Sequence, residues 1–422
     1  MRANLHIKMY ICFLLIKNLM KKTLIALLIV GFGAKVNAQD ELEQSALQLN
    51  TITTAVPFLL IAPDSRSGAM GDAGVASSPD ANSMHWNVAK LAFVEKEMGV
   101  SVSYSPWLRK LVPDINLSYV SGYKKLGDNN AVGASLRYFS LGDIKFTDDN
   151  GAPIGDFNPS EFAIDLGYSQ KFGERFSMGI AARYIYSNLT GGIDVSGSNT
   201  QAGKSFAVDV GAFYTNPDAE VFGQEAIFNA GLNISNIGAK IAYTNDAIKD
   251  FIPINMRLGQ SLTFVLDDYN TFSILTDVNK LLVPTPPIYA TDDSGQPIFN
   301  QETEEYEIEK GKNPDVPIVT GIFQSFGDAP GGFSEELREF NISAGLEYWY
   351  NKQFAVRAGY MHEHATKGNR KYLTAGLGLK LSVFSLDASY LISMTQNNPL
   401  ANTVRFSLMF DFDAFKKQNS EE

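Results

Sequence analysis

Along most of the chain, apolar and polar positions alternate with a period of two. In Phe162-Ala163-Ile164-Asp165-Leu166-Gly167-Tyr168 one face carries Phe, Ile, Leu and Tyr, and the other Ala, Asp and Gly. The same split recurs in Phe206 to Gly211, in Phe340 to Tyr348, at Leu373, Ala375, Leu377 and Leu379, and at Val404, Phe406, Leu408, Phe410 and Phe412. This period predicts strands whose two faces meet different surroundings. From residue 98 onward the pattern predicts about fourteen of them, an even number as single-chain bacterial barrels require. Their spans are 98–107, 114–124, 130–146, 160–171, 175–188, 204–215, 225–236, 253–266, 270–282, 338–350, 353–363, 371–381, 383–394 and 402–412.

A soluble sandwich also alternates, but three details favour a membrane barrel. Aromatic residues such as Tyr168, Tyr348, Tyr350, Tyr360 and Tyr390 fall toward strand ends, where an interfacial girdle needs them. The opposite faces mix Gly with Asp, Glu, Arg or Asn, which suits a polar lumen and is costly in a sandwich core. The chain also offers no helical domain to cover so many strands. After Ala38 no stretch reaches the roughly 18 unbroken apolar residues of a membrane helix, and a closed barrel is the other way to span a bilayer. The expected fold is therefore all-β, a transmembrane outer-membrane barrel of about 14 antiparallel strands. Connections after even-numbered segments are mostly short, as in Phe172-Gly173-Glu174, Asp267-Asp268-Tyr269 and Asn351-Lys352, and those after odd-numbered segments are usually longer. Outer-membrane barrels turn tightly in the periplasm and loop widely outside, so both chain ends are expected in the periplasm.

Outside the alternating region the chain divides further. Residues 1–38 read as a secretory signal: Lys21 and Lys22 precede the apolar run Leu24 to Val30, and Val36-Asn37-Ala38 offers a cut before Gln39. Met20, immediately before the two lysines, is the expected true start. Residues 39–97 do not alternate and are expected to form a plug or periplasmic segment, followed by the barrel at 98–413 and a polar tail at 414–422. Gly68, Gly71 and Gly74 would let the backbone of such a plug approach its surroundings closely. No strand and helix frame them, so they are not a nucleotide fingerprint. The connection from about 283 to 337, with Val283-Pro284-Thr285-Pro286-Pro287 and Glu302-Thr303-Glu304-Glu305-Tyr306-Glu307, should be external. It reads equally well as a solvated loop or as a partner-binding lobe capping the barrel.

The 422 residues carry 46 acidic against 35 basic side chains, a formal net charge of −11, with no basic patch to match nucleic-acid phosphates. The one cysteine, Cys12, lies in the leader, so no disulfide or thiol chemistry is expected in the exported chain. Of four histidines, His6 goes with the leader and His85 reads as part of a packed His85-Trp86-Asn87 cluster. His362 and His364 share one strand face around Glu363 but lack a third metal ligand, which makes a polar loop the better reading. Asp148-Asp149, Asp267-Asp268 and Asp292-Asp293 sit at turns without the spacing of a calcium loop. No catalytic group, metal site or cofactor is expected.

The segment before the barrel carries a family resemblance. Ser67-Gly68-Ala69-Met70-Gly71-Asp72-Ala73-Gly74-Val75-Ala76, then Asp80-Ala81-Asn82-Ser83, then Trp86-Asn87-Val88-Ala89-Lys90-Leu91-Ala92 resembles the hatch of FadL-type barrels, with Val88 and Lys90 where that family usually has Pro and Gly. Asn50 to Arg66 and Tyr104-Ser105-Pro106-Trp107-Leu108 are similar to the PorV family of Bacteroidota type IX secretion. The resemblance makes Arg66, Gly68, Gly71, Asp72, Gly74, His85, Trp86 and Asn87 the hatch candidates. It implies a barrel that catalyses nothing, associates with a large translocon barrel, receives secreted cargo by its C-terminal domain and passes it to a surface attachment complex that includes a sortase. Outer-membrane lipid is the remaining expected partner. The broader FadL resemblance implies instead uptake of hydrophobic small molecules through the lumen and a lateral gap in the wall.

Overall fold

The computed structural model describes residues 49–108, 114–147, 153–191, 200–244, 249–303, 305–394 and 400–412. The expected signal, the start at Met20, the tail at 414–422 and the pair Asp148-Asp149 lie outside them. Fourteen strands follow one another round a closed antiparallel barrel. They are β1 (Met98–Pro106), β2 (Asn116–Lys125), β3 (Asn130–Ser140), β4 (Ser160–Lys171), β5 (Phe176–Asn188), β6 (Gly203–Val221), β7 (Gln224–Gly238), β8 (Asn255–Val265), β9 (Asn270–Leu281), β10 (Asn341–Tyr350), β11 (Phe354–His362), β12 (Lys371–Lys380), β13 (Phe384–Ser393) and β14 (Val404–Asp411). β14 closes onto β1 through Gly99↔Asp411 to Tyr104↔Phe406.

Strand register places one apolar face outward all round the wall. Leu166, Ile180, Phe206, Leu258 and Leu377 are exposed, Phe206 at 71%. A continuous apolar band of this kind is stable where lipid covers it. The inward positions are buried, and alongside apolar side chains such as Tyr119, Ile185 and Phe213 they include many that are small or charged: Ser101, Ser103, Arg137, Asp165, Arg183, Asp277, Glu347, Arg357, Asp387 and Arg405. The six connections at 126–129, 172–175, 222–223, 266–269, 351–353 and 381–383 are turns of two to four residues, and all the long connections gather at the other end. Phe222 and Gly223 both take positive φ, 56° and 77°, the geometry of a two-residue hairpin turn whose twist matches its strands.

One expected strand is corrected. The segment 130–146 does not run through: β3 stops at Ser140, and Ile144–Thr147 pairs instead with Pro153–Phe157 in a separate hairpin. Gly142 at φ 83° turns the backbone out of the ladder, and the Leu141 N–H is taken by the Pro159 carbonyl.

The long connection between β9 and β10 is a folded lobe. It holds two small hairpins and the helices Ile318–Gln324 and Phe333–Arg338. Two buried lysines tie it down. Lys280 Nζ, at the end of β9, reaches Glu339 at 2.5 Å and Glu336 at 3.3 Å. Lys367 Nζ, between β11 and β12, reaches Glu335 at 2.6 Å and Glu339 at 3.0 Å.

Candidate functional site: a hatch bonded into the lumen

Residues 50–94 run through the barrel interior from the long-loop end to the short-turn end. At the long-loop end, the Asn50 N–H donates to the Thr366 carbonyl at 3.1 Å, and its amide donates to the Pro286 carbonyl and Glu335, both at 3.1 Å. At the short-turn end, the hydroxyls of Ser169 and Ser177, which flank the 172–175 turn, donate to the Ala89 carbonyl at 2.8 and 2.7 Å. The barrel's own ends, Met98 and Asp411, lie at the short-turn end as the loop asymmetry requires, but Asn50 does not.

Hydrophobic packing holds both ends of the hatch. Near the long loops, the 3-10 turn Pro57–Leu60 buries Phe58 and Leu59 against Phe139, Ile185, Phe251 and Ile254. Near the short turns, Met84, Val88, Leu91 and Val94 pack on Tyr123, Ala131 and Ala181. Between them the inward glycines of the wall form a shelf for the hatch backbone. A Cβ at Gly179 would lie 2.7 Å from the Ala89 nitrogen, one at Gly345 would lie 2.6 Å from the Met70 Cβ, and one at Gly359 would overlap Met70 and Gly71.

Polar bonds then set where each hatch residue sits. Asp64 caps the short helix α1 (Ser65–Gly68), accepting from the Ser67 N–H at 2.9 Å, and its other oxygen accepts from Trp86 Nε1 at 2.6 Å. Burial, then the neighbouring Asp80, pushes the Asp64 carboxyl up. Arg66 forks onto both oxygens of Glu347 of β10, Nε at 3.0 Å and Nη2 at 2.9 Å, and reaches Asp80 at 2.9 Å. Glu347 also accepts from Arg357 of β11 at 2.7 Å, and Arg357 continues to Asp387 of β13 at 2.6 Å. Gly68 lies so close to Arg405 that an added Cβ would stand 3.0 Å from its Cδ. Gly71, at φ 69°, donates to Thr374 Oγ1 at 2.9 Å, and Asp72 accepts from Arg405 at 2.7 Å and from the Tyr372 hydroxyl. Gly74 and Val75 aim successive N–H groups at one oxygen of Asp277, at 2.7 and 2.9 Å.

His85 and Trp86 end the short helix α2 (Ser83–Trp86), their rings edge-on at 4.7 Å. Arg137 meets His85 Nδ1, and Arg257 lies 5.2 Å over the Trp86 ring. Burial first, then Arg137 and Arg257, holds His85 well below its usual range, so it stays neutral and serves as a packed acceptor. Asn87 donates to the Val75 carbonyl at 3.3 Å and the Ala212 carbonyl at 2.9 Å. All eight candidates thus belong to one assembly, in which Asp72 is half-buried and the other seven are buried.

Sequence reasoning missed the wall half of it: Arg137, Asp277, Glu347, Arg357, Thr374 and Arg405. The signal was there, since charged residues stand out on inner faces that carry many Gly, Ser and Ala, yet nothing in a linear pattern says which of them meets Arg66 or Asp72. Lys90, read only as a departure from a family pattern, is fully buried and donates to the Gly74 carbonyl at 2.9 Å and Ser77 Oγ at 2.8 Å. The other candidates have local roles. His364 Nδ1 accepts from the Thr366 N–H at 3.2 Å, while Asp267 and Asp292 accept N–H groups of their own turns. Among the described residues no group of three or more His, Cys, Asp or Glu stands close enough to hold a metal ion.

A closed antiparallel barrel, apolar outside and filled by the segment that precedes its first strand, defines an outer-membrane β-barrel with a lumen hatch. Within that class, the family model described as type IX secretion system protein PorV matches residues 44–288, and the chain belongs to this family. It is thus an outer-membrane component of type IX secretion. No curated protein matches it. Among solved structures it is similar to the Pseudomonas putida toluene transporter TodX, at 11% identity and TM-score 0.46 over 82% of this chain and 97% of that one. It is also similar to the Ralstonia pickettii toluene transporter TbuX, at 10% identity and TM-score 0.42 over 82% and 96%. A Pseudomonas aeruginosa FadL homologue is similar at 12% identity and TM-score 0.41 over 86% and 99%.

Proposed function

We propose that this barrel works by binding rather than by catalysis: it receives secreted proteins through their C-terminal domains beside a larger translocon barrel and delivers them to a sortase-containing attachment complex at the cell surface. Membership of the type IX family carries this reading. The anchored lobe at 282–340 supports it, because three carboxylates and two buried lysines hold that connection as a fixed outer surface rather than a loose loop.

Passage of hydrophobic solutes through the lumen fits less well. The hatch bonds to the outer connections at Asn50 and to the wall as far as Ala92, and each neighbouring strand pair is joined by a hydrogen-bonded ladder, interrupted among the described residues by bulges between β6 and β7. Crosslinking mass spectrometry on native outer membranes tests the proposal. Adducts from residues 282–340 to a larger barrel and to secreted proteins are expected. Recovery of this barrel with lipid and no protein partner would overturn it.

A further inference from the structure

Thr51, Ile52, Thr53 and Thr54 are four consecutive β-branched residues, a composition that favours strands, yet they join no sheet and form neither turn nor helix. The run is fixed at both ends, by the Asn50 N–H on the Thr366 carbonyl at 3.1 Å and by the Ala55 N–H on the Phe251 carbonyl at 2.9 Å. Between these anchors, no backbone N–H or carbonyl of the four residues makes a hydrogen bond among the described residues. All four line a cleft of about 300 Å³ at the long-loop mouth, with Leu281, Glu339 and Asn341 among its other walls. Asn341 Oδ1 is buried there without a partner.

The chemistry left open in this cleft is that of the peptide group. Its charged side chains are already committed: Lys367 to Glu335 and Glu339, and Arg370 to Glu363 at 2.7 Å. A phosphate or a metal ion therefore finds no free counter-charge, and an acyl chain would leave the row of donors and acceptors unmet. A strand laid alongside matches such a row, because its own N–H and carbonyl groups repeat at the same spacing of about 3.3 Å per residue. We propose that Thr51–Thr54 is the edge of a strand-addition site whose occupant is a segment of a secreted polypeptide, pairing with the hatch backbone at the outer mouth. This rests on the cargo-binding reading above and specifies where and how cargo is held.

Hydrogen exchange on the full-length barrel, alone and with a purified secreted protein carrying its C-terminal domain, tests it. The alternate amides of Thr51 to Thr54 that face the added strand should exchange at least about tenfold slower in the complex. A photo-crosslinking residue at Thr53 in intact cells should give adducts mapping to one contiguous segment of the secreted protein. A stable complex with unchanged exchange at 51–54 overturns strand addition and leaves cargo binding standing. Adducts only to lipid, or to residues 39–48 of the barrel's own chain, overturn it as well. Failure of the secreted protein to bind at all overturns both readings.

Discussion

Lys90 is the residue least at home in its surroundings. It is fully buried, and its ammonium is met by a carbonyl and a hydroxyl rather than by a carboxylate. Burial, the largest influence, draws it down to about 8, with Asp80 acting in the opposite sense. Its ordinary value is 10.5, so between about 8 and 10.5 the unfolded chain holds a proton that the folded chain has lost. Stability from this group therefore rises with pH across that window, by roughly 3 kcal/mol in all. Thermal unfolding of detergent-solubilised barrel at pH 8 and pH 10 should show the gain, and Lys90→Met should flatten it. Glu347 is the opposite case, a buried anion shared by Arg66 and Arg357. Glu347→Gln removes the carboxylate that joins the two arginines while Arg66 keeps Asp80 and Arg357 keeps Asp387, and is expected to cost about 1–3 kcal/mol, read by the same unfolding measurement.

The elements show why glycine and charge share the inner faces. Glycines let the hatch backbone approach the wall, and charged residues at the same level bond its polar groups. Gly71 meets both demands, since its φ of 69° suits a residue without Cβ and an added Cβ would stand 2.6 Å from the Tyr360 carbonyl oxygen. Gly71→Val should free the middle of the hatch while leaving the wall paired. Limited proteolysis should then cut within residues 64–77, with the heat-modifiable migration of the folded barrel retained. Unchanged protection would mean that the wall moves to accept the side chain. The lobe at 282–340 follows different rules, being held by ion pairs to Lys280 and Lys367 rather than by close backbone contact.

For the whole molecule the consequence is a topology in which the chain crosses the lumen before it builds the wall. Asn50 stands among the outer loops, and Met98 starts β1 at the opposite end. Cys12 precedes the described residues and is the chain's one cysteine, so single cysteines report position cleanly. Thr51→Cys should react with a membrane-impermeant maleimide in intact cells. Gly173→Cys, in a short turn, should react only after the outer membrane is opened. Reaction at Gly173 in intact cells would reverse the orientation.

The strands, their even number and the sorting of short and long connections were legible in the sequence because each is a local property. A wall between lipid and a polar interior imposes a period of two on every strand, and a tight turn needs its own few residues. The hatch was legible as a Gly-rich interruption of that period, with Arg66, Asp72 and the His85-Trp86-Asn87 cluster inside it. Its course through the lumen and its partners were decided by tertiary structure alone. Arg66 meets Glu347, Asp72 meets Arg405 and Asn50 meets Glu335 across 281, 333 and 285 residues of chain. Contacts at such separations depend on the register of every strand between them, and no local pattern carries that information.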